Sequence, residues 1–267
     1  MTIIGSNGTN YALDVPGLSG EPIVLSWSAL TDRGLHRLNN EDSVLAQSPI
    51  FVVADGMGGY KGGELASSAV VTRLEELVGS QLPTPDDITA ALRRAVADIG
   101  RTPDQTDEAT GTTVSGIAVT LSKGQPCWLV FNIGDSRVYN FADGVLTQLT
   151  LDHSVVQRLI DGGIITPDEA ETHPQSHVIT RAVGLNEEPV PDFFLVPIVS
   201  GSRLVICSDG LTKELTDYGI GWFLSQNPSA SAASGELLRA ALENGGRDNV
   251  SVVVVDVMNA PEASLAQ

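Results

Sequence analysis

Ile50-Phe51-Val52-Val53-Ala54-Asp55-Gly56-Met57-Gly58-Gly59 joins an uninterrupted apolar run to a carboxylate set among glycines. A short continuous run of this kind, rich in β-branched and aromatic residues, predicts a strand buried on both faces. Such a strand needs cover on two sides, and the rest of the chain supplies it. Strands are predicted at Val24 to Leu30, Thr112 to Leu121, Cys127 to Ile133, Arg137 to Phe141, Val145 to Leu149, Phe193 to Val199, Arg203 to Cys207 and Val250 to Val257, with Asp143-Gly144 as a hairpin turn. Helical spacing of apolar residues is found over Glu64 to Val78, Asp86 to Ile99 and Gly235 to Leu242. Many strands, few long helices and no regular strand–helix alternation argue for an α+β fold, a sheet sandwich with helices packed outside.

Apolar residues are 42% of the 267 and charged residues only 18%, which excludes a disordered chain. The 33 acidic residues outnumber the 15 basic ones and leave a net charge of −18, so a surface that grips phosphate backbones or anionic membranes is excluded. No apolar stretch is long enough to span a bilayer. Met1 to Gly20 lacks the basic and apolar regions of a signal peptide. Cys127 and Cys207 lie in apolar runs and read as reduced, buried thiols, so the expected location is the cytoplasm. Residues 1–20, rich in Gly, Ser, Asn and Thr, read as a loose arm; 21–258 as a single domain; and 259–267 as a flexible tail.

The chemistry is suggested by where the acids fall. Asp55, Asp135 and Asp209 each follow an apolar run and have glycine beside them, Asp248 immediately precedes another run, and Glu41-Asp42 follows the first strand. An Asp-Gly pair taken alone marks a turn. Several carboxylates at the rigid ends of buried strands repel one another unless positive charge lies between them, and an all-oxygen set suits Mg²⁺ or Mn²⁺. Two such ions can lower the pKa of a water for in-line attack and neutralise a phosphoryl group. Gly-x-Ser-x-Gly and Walker motifs are both absent from the sequence. Arg37, near the first acidic pair, is a residue type that contacts phosphate bidentately.

Together the motifs Arg37-x-x-Asn40-Glu41-Asp42, Asp55-Gly56-Met57-Gly58-Gly59, Gly111-Thr112-Thr113, Asn132-x-Gly134-Asp135-Ser136-Arg137, Thr150-x-Asp152-His153-Ser154, Ser208-Asp209-Gly210-Leu211 and Arg247-Asp248-Asn249 resemble the metal-dependent serine/threonine protein phosphatases of the 2C family, in their bacterial form. The resemblance runs over about residues 24–257 with the motifs in family order. It implies a four-layer sandwich, two central antiparallel β-sheets flanked by α-helices. It implies two tightly bound Mn²⁺ or Mg²⁺ ions, with Asp55 bridging them, the Gly56 carbonyl on one, and Asp209 and Asp248 on the other. Asp135 would help to hold a third, weaker ion, while Glu41 and Asp42 would hold water around the metals. Arg37 would bind the substrate phosphate, Asn249 would orient the loop around Asp248, and Ser154 to Ile179 would form a flap beside the site.

The implied activity is hydrolysis of phosphoserine and phosphothreonine in proteins by a dinuclear-metal-bound hydroxide, without a phosphoenzyme. The implied partners are phosphorylated proteins, including a serine/threonine kinase or its substrates, in a signalling role, and the default state is a monomer. Two alternatives stand beside it: a catalytically weak module that binds phosphoproteins, and a small-molecule phosphoesterase. The chain departs from the family in places. A histidine common near the first aspartate is replaced by Met57 or Tyr60, so Tyr60, a metal-bound water or a flap histidine could protonate the leaving group, and His177 stands where the flap often has asparagine. Lys213 stands where bacterial members often carry an acid, and could weaken the third metal or point outward.

Overall fold

The computed structural model describes residues 1–16, 21–58, 62–79, 81–101, 110–184 and 187–261. The first half of the chain runs β1 (Thr2–Gly5), β2 (Gly8–Leu13), β3 (Ile23–Asp32), β4 (Ser43–Gln47), β5 (Ile50–Ala54), β6 (Gly56–Met57), α1 (Gly62–Glu75) and α2 (Pro85–Ile99). Next come β7 (Gly111–Thr112), β8 (Val114–Ser122), β9 (Gln125–Ile133), β10 (Arg137–Ala142), β11 (Val145–Gln148), α3 (Val155–Asp161) and α4 (Pro167–Glu171). The chain continues through β12 (Val183–Gly184), β13 (Asp192–Pro197), β14 (Arg203–Cys207), α5 (Asp209–Thr212), α6 (Asp217–Gln226), α7 (Ala230–Glu243) and β15 (Val250–Asn259).

The strands form two six-stranded sheets, in the orders β1-β4-β5-β8-β9-β13 and β11-β10-β14-β15-β3-β2, and a small sheet β12-β7-β6. Among the described residues every strand pairing is antiparallel except β1 with β4. The side chains of Leu25, Trp27, Phe51, Val53, Trp128, Val130, Ile206 and Val255 fill the space between the large sheets. The opposite face of β5 and its neighbours packs on α1 and α2 through Val52, Val70, Leu74, Ile88 and Leu92. The outer face of the second sheet packs on α6 and α7 through Val205, Val252, Ile220 and Leu237. The result is an α+β fold in four layers, with β5 buried along its whole length between helices and the facing sheet. Thr84 caps α2 in a capping box with Asp87, and Pro85 occupies the first turn, where its missing N–H is not needed.

The N-terminal arm is a correction. Residues 2–5 and 8–13 are edge strands, one on each large sheet. An edge strand with one wet face can be polar, so composition alone misleads there. Trp27 fixes the arm: its Nε1 donates to the Ser6 carbonyl at 2.7 Å, its ring meets Tyr11 edge-on, and a Cβ at Gly8 would lie 2.5 Å from the indole. Asn259, placed in the tail by sequence, is the last residue of β15. Residues 17–20 of the arm, 262–267 of the tail, and Gly59 and Tyr60 lie outside the described residues.

Candidate active site

One end of the sandwich collects the carboxylates from both sheets. Asp42 precedes β4 and Asp55 follows β5, and the adjoining residues Ser43 and Ala54 are paired across the two strands. Asp135 lies in the turn between β9 and β10, Asp209 opens α5 just past β14, and Asp248 sits two residues before β15. Strand register therefore brings together acids far apart in sequence.

The acids are crowded. Burial, then Asp42, Asp209, Asp135 and Asp248, push the Asp55 carboxyl well above the ordinary carboxylate range. Burial, aided by Asp209, holds Asp42 and Asp135 up to about 7. Burial also raises Glu41. Two oxygens, Asp42 Oδ1 and Asp209 Oδ1, are buried without a hydrogen-bond partner. Asp248 behaves oppositely: burial alone would raise it, but Lys213 and Arg37 outweigh burial and leave it low. Arg37 grips Asp248 with two nitrogens, Nε at 2.8 Å from Oδ1 and Nη2 at 2.9 Å from Oδ2. Lys213 Nζ lies 2.6 Å from Asp209 Oδ2 and 3.0 Å from Asp248 Oδ2.

Several contacts hold this arrangement in place. The Asp55 carbonyl accepts from Thr113 N and Thr112 Oγ1, and Asp55 N donates to Thr113 Oγ1. Gly56 is pressed so closely that a Cβ would lie 2.2 Å from the Gly63 carbonyl oxygen. Gly134 has φ +108 and would drive a Cβ into Thr113, so the turn carrying Asp135 requires glycine. Asn249 joins two loops: its Oδ1 accepts from Glu41 N, and its Nδ2 donates to the Arg33 and Asn39 carbonyls. Ser251 Oγ donates to Asp42 Oδ2 at 2.6 Å, a contact hidden in the sequence because Ser251 is the second residue of an ordinary apolar strand. Glu214, with a side chain only 1% exposed, makes a two-nitrogen ion pair with Arg247 and ties the turn after Asp209 to the loop before Asp248.

By type, these residues fit a hard divalent cation: the donors are all oxygens, and one carboxylate oxygen of Asp209 is buried and unpartnered. Among the described residues no three His, Cys, Asp or Glu side chains are gathered tightly enough to hold one ion as they stand. The Asp248 and Asp209 carboxylates are paired instead with Arg37 and Lys213.

Residues 36–244 match the family described as protein phosphatase 2C. The chain belongs to that family. It is 42% identical over 243 residues to the serine/threonine protein phosphatase PstP of Mycobacterium tuberculosis, covering 89% of this chain and 46% of the relative, so it spans about half the length of that protein. It is 33% identical over 249 residues to the protein phosphatase PhpP of Streptococcus pneumoniae, covering 88% of this chain and 98% of the relative. The crystal structure of the M. tuberculosis phosphatase PstP/Ppp superimposes with a TM-score of 0.79 at 39% identity, over 88% of this chain and 99% of that one. A structure of the PstP catalytic domain in complex with two manganese ions gives 0.76 at 38% identity, over 88% and 99%.

Lys213 points into the carboxylate cluster and not outward. The segment expected to form a flap holds two short helices, α3 and α4, and is joined at its base by a bridge between Ser154 and Ile179 and by Thr180 N donating to the His153 carbonyl. His153 itself is satisfied: Nδ1 accepts from Gly134 N, and Nε2 faces Asp192 Oδ2 at 3.0 Å. His177, on the flap, is exposed.

Proposed function

We propose that the protein hydrolyses phosphoserine and phosphothreonine in phosphorylated proteins. The observation that carries this reading is the convergence of Asp55, Asp209 and Asp248, with Asp42 and Asp135, at one end of a two-sheet sandwich beside an arginine. Asp55, the Gly56 carbonyl, Asp209 and Asp248 would hold two Mn²⁺ or Mg²⁺ ions, with Asp135 helping at a weaker third and Glu41 and Asp42 holding water around them. When bound, the ions supply an activated water for in-line attack and neutralise charge on the phosphoryl group.

The chain's own residues do the rest. Asp248 releases Arg37, whose planar guanidinium then binds two phosphate oxygens and sets the phosphorus in line. Asp42, fixed by Ser251, and Glu41, fixed by Asn249, orient solvent at the cluster. No side chain is required as a nucleophile, so no phosphoenzyme forms. The two-manganese structure of a relative supports the dinuclear reading.

A serine/threonine kinase or its substrates are the proposed partners, in signalling, with the protein acting as a monomer. The cytoplasm is the proposed location, in keeping with two free buried cysteines, Cys127 and Cys207. No helix among the described residues is long and apolar enough to cross a membrane. The test is turnover of a phosphothreonine peptide against a small aryl phosphate at equal concentration. Higher kcat/KM on the peptide supports a protein phosphatase; turnover of the small ester alone would move the reading to a small-molecule phosphoesterase.

A further inference from the structure

Within the phosphatase reading, and resting on it, Lys213 has a role that the chemistry of the site does not otherwise use. It follows the one-turn helix α5, four residues after Asp209, and its backbone N donates to the Asp209 carbonyl at 2.8 Å. The helical turn therefore aims the ammonium back over the Asp209 carboxylate. The Glu214–Arg247 ion pair next to it fixes the backbone from which it reaches. The ammonium lies within 3.0 Å of two carboxylates from different loops, while the opposite oxygen of Asp209 is buried without a partner.

We propose that Lys213 is a resident counter-cation of the metal site, exchanged for a divalent ion at Asp209 and Asp248 on loading, and that it thereby sets metal affinity. One ammonium is a point charge with three donors and cannot neutralise a cluster of five aspartates, even with Arg37 beside it. A dication supplies more charge to the same oxygens and repels the ammonium at short range. The exit is open: the Lys213 side chain is 39% exposed, and its stem is long and flexible. Loading must therefore break two ion pairs, which lowers apparent affinity relative to a site without the lysine. Without the lysine, the metal-free carboxylates are less well neutralised.

The test is calorimetric titration of Mn²⁺ into metal-free wild-type protein, Lys213→Met and Lys213→Arg, with folding checked by circular dichroism. Lys213→Met, which keeps the stem and removes the charge, is expected to bind Mn²⁺ about tenfold more tightly or better, a change of about 1.4 kcal/mol. Lys213→Arg is expected to stay close to wild type. A second readout needs no variant: brief acetylation of the wild-type protein, read by mass spectrometry, with exposed Lys123 as internal reference. Labelling of Lys213 relative to Lys123 is expected to rise when Mn²⁺ is added. Equal Mn²⁺ affinity in wild type and folded Lys213→Met, or unchanged Lys213 labelling in protein that has bound Mn²⁺, would overturn the proposal. Failure of all folded variants and the wild type to bind Mn²⁺ would overturn the metal-site reading itself, and this proposal with it.

Discussion

Asn249→Ala isolates the contact that joins the two loops of the site. Asn249 is 6% exposed, and its side chain makes three hydrogen bonds of 2.9 Å, from Glu41 N and to the carbonyls of Arg33 and Asn39. Each is worth about 1 kcal/mol net, and a polar group left buried without a partner costs about 1–3 kcal/mol. Arg33 and Asn39 are exposed residues whose carbonyls can recruit water, so the loss is concentrated at Glu41 N. The expected destabilisation is about 2–3 kcal/mol, read from urea unfolding of the metal-free protein at unchanged m. Asn249→Asp keeps the acceptor for Glu41 N but loses both donors and adds a charge beside Asp248, so it is expected to be at least as damaging. Both variants also release the segment that carries Arg37, Glu41 and Asp42, so phosphopeptide turnover should fall with stability. A change below about 0.5 kcal/mol for Asn249→Ala would refute the claim that this side chain holds the loops together.

Metal-free stability should depend on pH in an unusual direction. Asp42 and Asp135 are held up to about 7 in the folded state, above the ordinary carboxylate range near 4. Between about pH 4 and 7 the folded protein therefore keeps protons that the unfolded chain releases, and stability falls as pH rises. The melting temperature in EDTA is expected to be higher at pH 5.5 than at pH 7.5; a flat or rising profile would show that the acids are not crowded. Asp55→Asn is expected to abolish turnover while leaving the metal-free protein at least as stable at pH 7.5, because it removes a repelled carboxylate; retained turnover would remove Asp55 from the site. Arg37→Ala is expected to raise KM for a phosphopeptide about ten- to a hundredfold, as loss of a charge-assisted bidentate contact does; an unchanged KM would remove Arg37 from phosphate binding.

Strands carried by continuous apolar runs are legible in the sequence, whereas the short buried β4, Ser-Val-Leu-Ala-Gln, is not. Ile50–Ala54 and Arg203–Cys207 carry continuous apolar runs, and their observed bounds equal the expected ones. The edge strands β1 (Thr-Ile-Ile-Gly) and β2 (Gly-Thr-Asn-Tyr-Ala-Leu) are short, largely exposed and set among Gly, Ser and Asn, so neither presents an apolar run of strand length. Helix α6 escaped because Gly219 and Gly221 interrupt a segment of weak helix formers, and packing on the second sheet overrides propensity there. In the segment 154–179, Gly162 and Pro167 are loop-forming residue types, yet they close α3 and open α4. The acids of the site could be seen as strand ends, but which strands are neighbours is a property of the sheet order. The direction of Lys213 depends on the single helical turn after Ser208, and the Glu214–Arg247 pair on a contact between distant loops, so neither is visible locally.

Metal-dependent hydrolysis is decided by phosphate release from a phosphothreonine peptide by wild-type protein and Asp209→Asn, each in EDTA, Mg²⁺ and Mn²⁺. Release by the wild type is expected only when a divalent ion is present, and none from folded Asp209→Asn under any condition. Release in EDTA, or equal release by Asp209→Asn, would contradict that expectation.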